Sequence, residues 1–391
     1  MHKIGFSGTL DPLTNGHIWV IEEARRMADN VEIYVSQAPG KKTMFDIATR
    51  QRTIQDYVES RGWDNVTVHI VLNKFIARFA KNRGVDYLIR GIRNSVDFEY
   101  EDLIQEVNAN MLHGCKTLFV IPPATAGAAG VNLGAVSSSF VKGLIGNVGW
   151  HWEIKKLLPK THYDQIIYDF LKKEWDASWL VGDVNKGLGK GVNDSWFEEV
   201  IRNYGGLDRH YHNVEHLVHG LTEINAWASN TGANTVSVMT LKQAFWFHDY
   251  VYGQATEKAS DEKQSAEAFL NTKLSNGSMG NSAYRLILAT SHFEQANIDE
   301  PLKDVMLGAD LAILGQDWSV YSEYAANTRL EYLNKYTRAE YDIGRVRALK
   351  HLLAKAEIGT LIEDPYFAAE YNETAISNMR REINELENDL A

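Results

Sequence analysis

The sequence predicts an α/β domain with a parallel sheet, followed by an all-helical domain. Three observations carry this. From residue 2 to about 122, short apolar runs alternate with amphipathic segments. A glycine-rich stretch then interrupts the pattern between Trp175 and Asp194, and beyond it the strand signal nearly vanishes. A chain of 391 residues has room for two domains of ordinary size.

Ile4 to Phe6, Val31 to Val35, Val66 to Leu72, Val85 to Ile89 and Thr117 to Ile121 read as strands. Between them, residues 17–28, 46–60, 75–83 and 99–112 carry apolar side chains at helical spacing; Ile18, Ile21, Ala24 and Ala28 mark one such face. Strand–helix alternation gives a parallel sheet with helices on both sides. Ligands in that architecture sit beyond the carboxyl ends of the strands, and segments 8–17 and 90–93 both follow strands directly. Gly182, Gly187, Gly189 and Gly191 fall within ten residues and read as a linker. The expected division is a first domain over 1–174, a linker over 175–192 and a helical domain over 193–391. In the last, residues 195–204, 214–229, 240–252, 259–273, 282–292, 302–313, 317–335 and 338–356 suit helices. The tail from Asn372 to Ala391 is a charged helix with Ile376, Met379, Ile383, Leu386 and Leu390 at helical spacing.

Composition excludes several function classes. A net charge of -11 with no clustered basic patch argues against nucleic acid as a partner. Cys115 is the only cysteine, so neither an intramolecular disulfide nor a cysteine-based zinc site is available, which fits a reducing, cytoplasmic setting. No apolar run reaches the length of a membrane span.

Two unrelated constellations remain. Thr14-Asn15-Gly16-His17 sits where the loop after the first strand becomes a helix. Free backbone N–H groups and the helix dipole favour phosphate at such a place, and His17 in the first turn can donate to a phosphoryl oxygen. In the second half, four histidines fall between His210 and His219, with His212, His216 and His219 at i, i+4 and i+7, so a continuous helix would put their rings on one face. His248-Asp249 ends an apolar helical run, His292 ends another helix, and Asp310 follows Val305-Met306-Leu307. Imidazoles and carboxylates so grouped suit a first-row transition metal.

The first half resembles the phosphopantetheine adenylyltransferases of the nucleotidyltransferase superfamily, a Rossmann-like fold. The resemblance lies in Gly8-Thr9-Leu10-Asp11-Pro12-Leu13-Thr14-Asn15-Gly16-His17, Lys41-Lys42-Thr43-Met44-Phe45, Arg90-Gly91-Ile92-Arg93 with Asp97-Phe98-Glu99-Tyr100-Glu101, and Ser137-Ser138-Ser139-Phe140-Val141-Lys142. It implies coenzyme A biosynthesis: adenylyl transfer from ATP to 4′-phosphopantetheine, giving dephospho-CoA and pyrophosphate, with Mg²⁺ on the triphosphate. It implies that Thr9, Leu10 and His17 contact ATP, that Lys41 and Arg90 hold the acceptor phosphate together with Thr9, and that His17, Lys41 and Arg90 are the catalytic groups. Gly91, Ile92, Arg93 and Glu101 would line the adenosine site, and Ser137, Ser138 and Ser139 would bind the β- and γ-phosphates. Such transferases often form closed homo-oligomers. Three departures lie near the adenosine site and its lid: Ser7 in place of proline, a longer segment over 122–136, and Gly143 after Lys142. They leave open another phosphorylated acceptor, such as nicotinamide mononucleotide.

The second half resembles the HD superfamily of metal-dependent phosphohydrolases, an all-α fold. The matching residues are Tyr211-His212-Asn213-Val214-Glu215-His216, Phe247-His248-Asp249-Tyr250-Val251-Tyr252, Ser265-Ala266, Ala289-Thr290-Ser291-His292 and Asp310-Leu311-Ala312-Ile313-Leu314-Gly315. The resemblance implies a ligand set of His248, Asp249 and Asp310 plus either His212 or His216, with His292 as a candidate for a second metal or a phosphate contact. The substrate would be a phosphorylated small molecule and the metal a divalent transition ion. A non-catalytic regulatory or assembly role for this half is the alternative. The whole chain thus reads as a bifunctional enzyme.

Overall fold

The computed structural model describes residues 2–37, 40–110, 114–122, 136–179, 190–256, 259–291 and 298–390. The chain divides into two compact units, Met1–Tyr168 and Asp169–Ala391.

In the first unit, strands β1 (Lys3–Gly8), β2 (Asn30–Ser36), β3 (Val66–Val71), β4 (Tyr87–Gly91) and β5 (Lys116–Val120) form one sheet in the order β3-β2-β1-β4-β5, every pair parallel. Helices α1 (Asn15–Met27), α2 (Ile47–Ser60), α3 (Ile76–Asn82) and α4 (Ser95–Asn110) connect them, and α5 (Ser138–Leu144) and α6 (Trp150–Lys155) come after β5. Burial explains the pattern: Val31 to Val35 of β2 are all buried, as a strand covered on both faces requires. Ile18, Val20, Ile21 and Ala24 give α1 its packed face. Strand order reverses direction between β1 and β4, so the loops after these two strands flank a crevice at the carboxyl edge of the sheet. Gly91 makes the approach possible, since a Cβ there would meet Val20 Cγ2 at 2.7 Å. Helix α4 starts at Ser95, earlier than its apolar spacing predicts, because Asn94 accepts a hydrogen bond from Asp97 N at 2.9 Å and opens the helix. It buries none of its side chains, whereas Val96, Tyr100, Leu103 and Val107 are exposed.

Helix α7 (Lys160–Ser178) contributes residues to both units. The linker expected from residue 175 is corrected here: Trp175 is fully buried against Trp246 and Phe197, so residues 175–178 are helix and core. Helix α8 (Lys190–Tyr204) includes Gly191; residues 180–189, with the other linker glycines, lie outside the described residues.

The described part of the second unit is helical: α9 (Val214–Thr231), α10 (Thr235–Phe247), α11 (Asp261–Asn271), α12 (Gly277–Ala289), α13 (Lys303–Leu311), a 3₁₀ turn over Ala312–Gly315, α14 (Trp318–Tyr332), α15 (Arg338–Glu357) and α16 (Pro365–Leu390). Two helix boundaries place the histidines. Helix α10 ends at Phe247, not at 252, so His248-Asp249 forms its exit. Helix α9 begins after Asn213, whose side chain caps it by accepting from Glu215 N at 2.8 Å, so His212 lies outside the helix.

Candidate functional site

In the first unit, Asp11 ties the crevice together. Its carboxylate is almost wholly buried and accepts from Met44 N at 2.8 Å, Phe45 N at 3.0 Å and Lys142 Nζ at 3.0 Å. One side chain thus joins the glycine–histidine loop, the lysine loop and the serine helix, which lie far apart in sequence. Ser138 Oγ adds a bond to Pro12 O at 2.8 Å, and Ser137 caps α5 by accepting from Phe140 N at 3.1 Å. Leu10 holds the loop in a left-handed conformation, φ 50°, while its side chain is buried. Such a backbone costs of order 1–3 kcal/mol for a non-glycine residue and persists only where its surroundings enforce it.

His17 is oriented by the start of its own helix. Thr14 N–H donates to His17 Nδ1 at 3.0 Å, so the neutral ring carries its proton on Nε2. Burial, with Arg90 and Arg93 nearby, pushes its pKa down to about 4. The group is therefore a neutral N–H donor at neutral pH. A second imidazole, His162, is buried and pushed down to about 3 by its burial and by His17.

The remaining expected residues sort less simply. Lys41 Nζ donates to Thr9 Oγ1 at 3.4 Å, which brings the lysine loop onto the glycine–histidine loop. Arg90 donates through Nε to Glu101 Oε2 at 2.8 Å, also through Nη2 to Glu101, and through Nη1 to Ser7 O. Glu101 thus stands as the partner of Arg90. Arg93 pairs with Asp97 at 2.6 Å, Ile92 is buried with its N–H on Val120 O at 2.8 Å, and Ser139 lies in the first turn of α5. Arg50 belongs to none of the sequence motifs. It is buried and donates to the carbonyls of Thr9, Ser36 and Phe45, bracing the walls of the crevice. The signal was present in sequence: Arg50 lies on the same face of α2 as Ile54 and Val58, an arginine in an apolar stripe.

In the second unit, His216, His248, Asp249 and Asp310 each place a ligand atom within 4.8 Å of the others. His248 Nε2 lies 3.0 Å from His216 Nε2, 3.0 Å from Asp249 Oδ2 and 3.3 Å from Asp310 Oδ1. His216 Nε2 is 3.5 Å from each carboxylate oxygen. Bonds of about 2.1 Å to a central ion separate neighbouring ligands by about 3.0 Å in an octahedron and about 3.4 Å in a tetrahedron. The spacings of 3.0–3.5 Å match such edges, so these four side chains could hold a divalent ion. Both histidine side chains are buried, and Phe245 O at 2.8 Å takes the Nδ1–H of His248, so its Nε2 faces Asp249 and Asp310. Helix α9 reaches α10 closely because of Gly220, where a Cβ would lie 1.9 Å from the ring of Phe245.

The expectation that His212, His216 and His219 share a helix face is corrected. His212 precedes the Asn213 cap, and His219 turns to Glu223 Oε1 at 3.2 Å. The group contains His216, not His212. His212 Nδ1 is held by Glu331 Oε2 at 2.7 Å, and its Nε2 faces Asp249 Oδ2 from 3.9 Å. Glu331 also accepts from Tyr211 N and His212 N, which fixes this imidazole beside the group. Burial works against protonating His248, but Asp249 and Asp310 together hold it well above the usual histidine range. His292 lies outside the described residues. Arg209 donates to the carbonyls of His212, Asp249 and Tyr250 and so braces the turn that carries His248 and Asp249.

A family model described as cytidylyltransferase-like matches residues 6–125. The chain is 32% identical over 167 residues to "Phosphopantetheine adenylyltransferase" of Chromobacterium violaceum, covering 43% of this chain and 96% of that protein. It is 30% identical over 162 residues to the protein of the same name from Neisseria meningitidis serogroup C, 41% of this chain and 90% of that one. A third, from Pasteurella multocida, is 36% identical over 122 residues, 31% of this chain and 75% of that protein.

Proposed function

The chain belongs to the phosphopantetheine adenylyltransferase family, and from that premise we propose that its α/β domain transfers an adenylyl group from ATP to 4′-phosphopantetheine. An oxygen of the acceptor phosphate attacks the α-phosphorus of ATP, and the bond to the bridging oxygen breaks to release pyrophosphate. The nucleophile is already ionised, so the protein's task is to hold two anions together and neutralise the added charge. His17 Nε2–H is the donor for the α-phosphoryl oxygen; its neutrality and orientation are the observation that carries this reading. Lys41 and Arg90 supply positive charge for the acceptor phosphate, and the α5 start with Ser137, Ser138 and Ser139 takes the β- and γ-phosphates. Mg²⁺ enters with the triphosphate. The exposed apolar stripe of α4 supports a homo-oligomer, with a second copy covering it. The experiment is incubation with Mg²⁺-ATP and a panel of phosphorylated acceptors, following pyrophosphate release. Dephospho-CoA formation is the expected result; preference for nicotinamide mononucleotide would move the reading to that acceptor.

The helical domain we read as a metal-dependent phosphohydrolase of the HD type. His216, His248, Asp249 and Asp310 would hold a divalent ion, which when bound acidifies water and polarises a phosphoryl oxygen. His212, fixed through Nδ1 by Glu331 and with Nε2 beside Asp249, would donate to the substrate phosphate. Metal analysis combined with phosphatase assays tests this; a folded protein that takes up no metal and hydrolyses no phosphate ester would favour the regulatory module.

A further inference from the structure

The loop that carries Lys41 runs from Ser36, where β2 ends, to Asp46, which caps α2. One side chain closes its base. Arg50, in the first turn of α2, donates from Nη1 to Ser36 O at 3.0 Å and from Nε to Phe45 O at 3.2 Å, so both ends of the loop meet on a single guanidinium. Nη1 also donates to Thr9 O at 2.5 Å, in the loop after β1. Nη2 donates to Gln37 Oε1 at 2.7 Å, and Gln37 Nε2 donates in turn to Lys41 O at 3.3 Å. The Lys41 ammonium returns to Thr9 Oγ1 at 3.4 Å. Arg50, Gln37, Lys41 and Thr9 thus close a ring of hydrogen bonds.

Stability alone is a poor account of this ring. Arg50 is 1% exposed, yet its acceptors are three carbonyls and an amide, all neutral. The buried carboxylate of the crevice, Asp11, is taken by Lys142 and by the N–H groups of Met44 and Phe45. Removing a guanidinium from water without a carboxylate partner is costly, and an apolar side chain of similar volume would buttress the loop as well. Gln37 is exposed, so packing does not require an amide there. What the ring fixes is the place of Lys41 relative to Thr9. Lys41 is itself exposed, and a lysine on an unbraced loop loses backbone and rotamer freedom each time it meets a ligand. A loop already held in its binding geometry avoids much of that loss.

We propose that Gln37 and Arg50 are positioning residues for the acceptor phosphate: they hold the Lys41 backbone beside Thr9 and so set the affinity of the acceptor more than that of ATP. The inference rests on the adenylyl-transfer reading, in which Thr9 and Lys41 hold that phosphate. Gln37 acts only through Lys41, whereas Arg50 acts through Gln37, Thr9 and both ends of the loop.

Initial rates and calorimetry on the full chain test it. Gln37→Leu removes the link to Lys41 at an exposed position, where folding is not at stake. KM for 4′-phosphopantetheine should rise at least about fivefold while KM for ATP changes less than about twofold. Calorimetry with 4′-phosphopantetheine alone should show the same loss of affinity. Arg50→Lys keeps the charge but cannot span the four acceptors, so its acceptor KM should rise at least as far. In a Lys41→Ala background, adding Gln37→Leu should change acceptor affinity less than about twofold, because the ammonium that it places is gone. An unchanged acceptor KM in Gln37→Leu, or equal rises for acceptor and ATP, overturns the proposal and leaves the adenylyl-transfer reading standing. Wild-type protein that releases no pyrophosphate with 4′-phosphopantetheine overturns that reading, and the proposal with it.

Discussion

Replacing Asp11 with asparagine isolates the joint on which the nucleotide crevice depends. Oδ1 accepts from Phe45 N and Oδ2 from both Met44 N and Lys142 Nζ. Asparagine can keep the first bond, but its amide then points a donor at the Met44 N–H and the Lys142 ammonium. Two charge-assisted bonds are lost, each worth about 1.5–3 kcal/mol. The Lys142 side chain is 25% exposed and can turn towards solvent, so the lower end applies and the loss should be about 3 kcal/mol. Urea unfolding of Asp11→Asn reads this directly. Because Met44 and Phe45 anchor the loop that carries Lys41, kcat/KM for adenylyl transfer should fall about tenfold or more under conditions where the variant stays folded. Unchanged stability together with unchanged kcat/KM would refute the claim that Asp11 organises the crevice.

Other outcomes rest on the same geometry. His17→Ala should leave ATP affinity largely intact and lower kcat by about two orders of magnitude, the scale of a lost transition-state donor; unchanged turnover would remove His17 from the mechanism. The folded pKa of His17 is about 4 against an unfolded value of 6.5. The unfolded chain therefore binds more protons in this interval, and the His17 contribution to stability falls as pH drops from 6.5 to 4. By the same sign, kcat should show no inflection near pH 6.5 arising from His17; one that vanished in the alanine variant would contradict the neutral-donor assignment. Asp249→Ala should abolish metal uptake, read by elemental analysis, and leave adenylyl transfer intact; loss of both activities in a folded variant would overturn the independence of the two sites. Gly220→Ala drives a methyl into Phe245, 1.9 Å from its ring, so α9 and α10 must part and metal affinity should fall at least about tenfold; equilibrium dialysis checks this.

Periodicity made the sheet legible, because a strand buried on both faces is a continuous apolar run and a packed helix shows its face every third or fourth residue. All five strands lie where apolar runs predict them. Boundaries were less legible where capping rather than hydrophobicity decided them. Asn94 opens α4 early, and Asn213 keeps His212 off α9. Trp175 reads as linker because glycines lie close behind it, yet it is core, since burial depends on partners such as Trp246 that lie far along the chain.

The sequence by itself determined which chemistry each half can offer: a histidine at a helix start after the first strand, and histidines with aspartates near helix ends. Those are local patterns, set by neighbours within a turn or two. Only the tertiary structure decided that Asp11 binds three distant segments, that Arg50 braces the crevice from inside an apolar stripe, and that His216 rather than His212 joins His248, Asp249 and Asp310. A hydrogen bond or a coordination edge is set by positions in space to within a few tenths of an ångström. Residues as far apart as Asp11 and Lys142 reach that precision only when the packed core fixes the backbones between them.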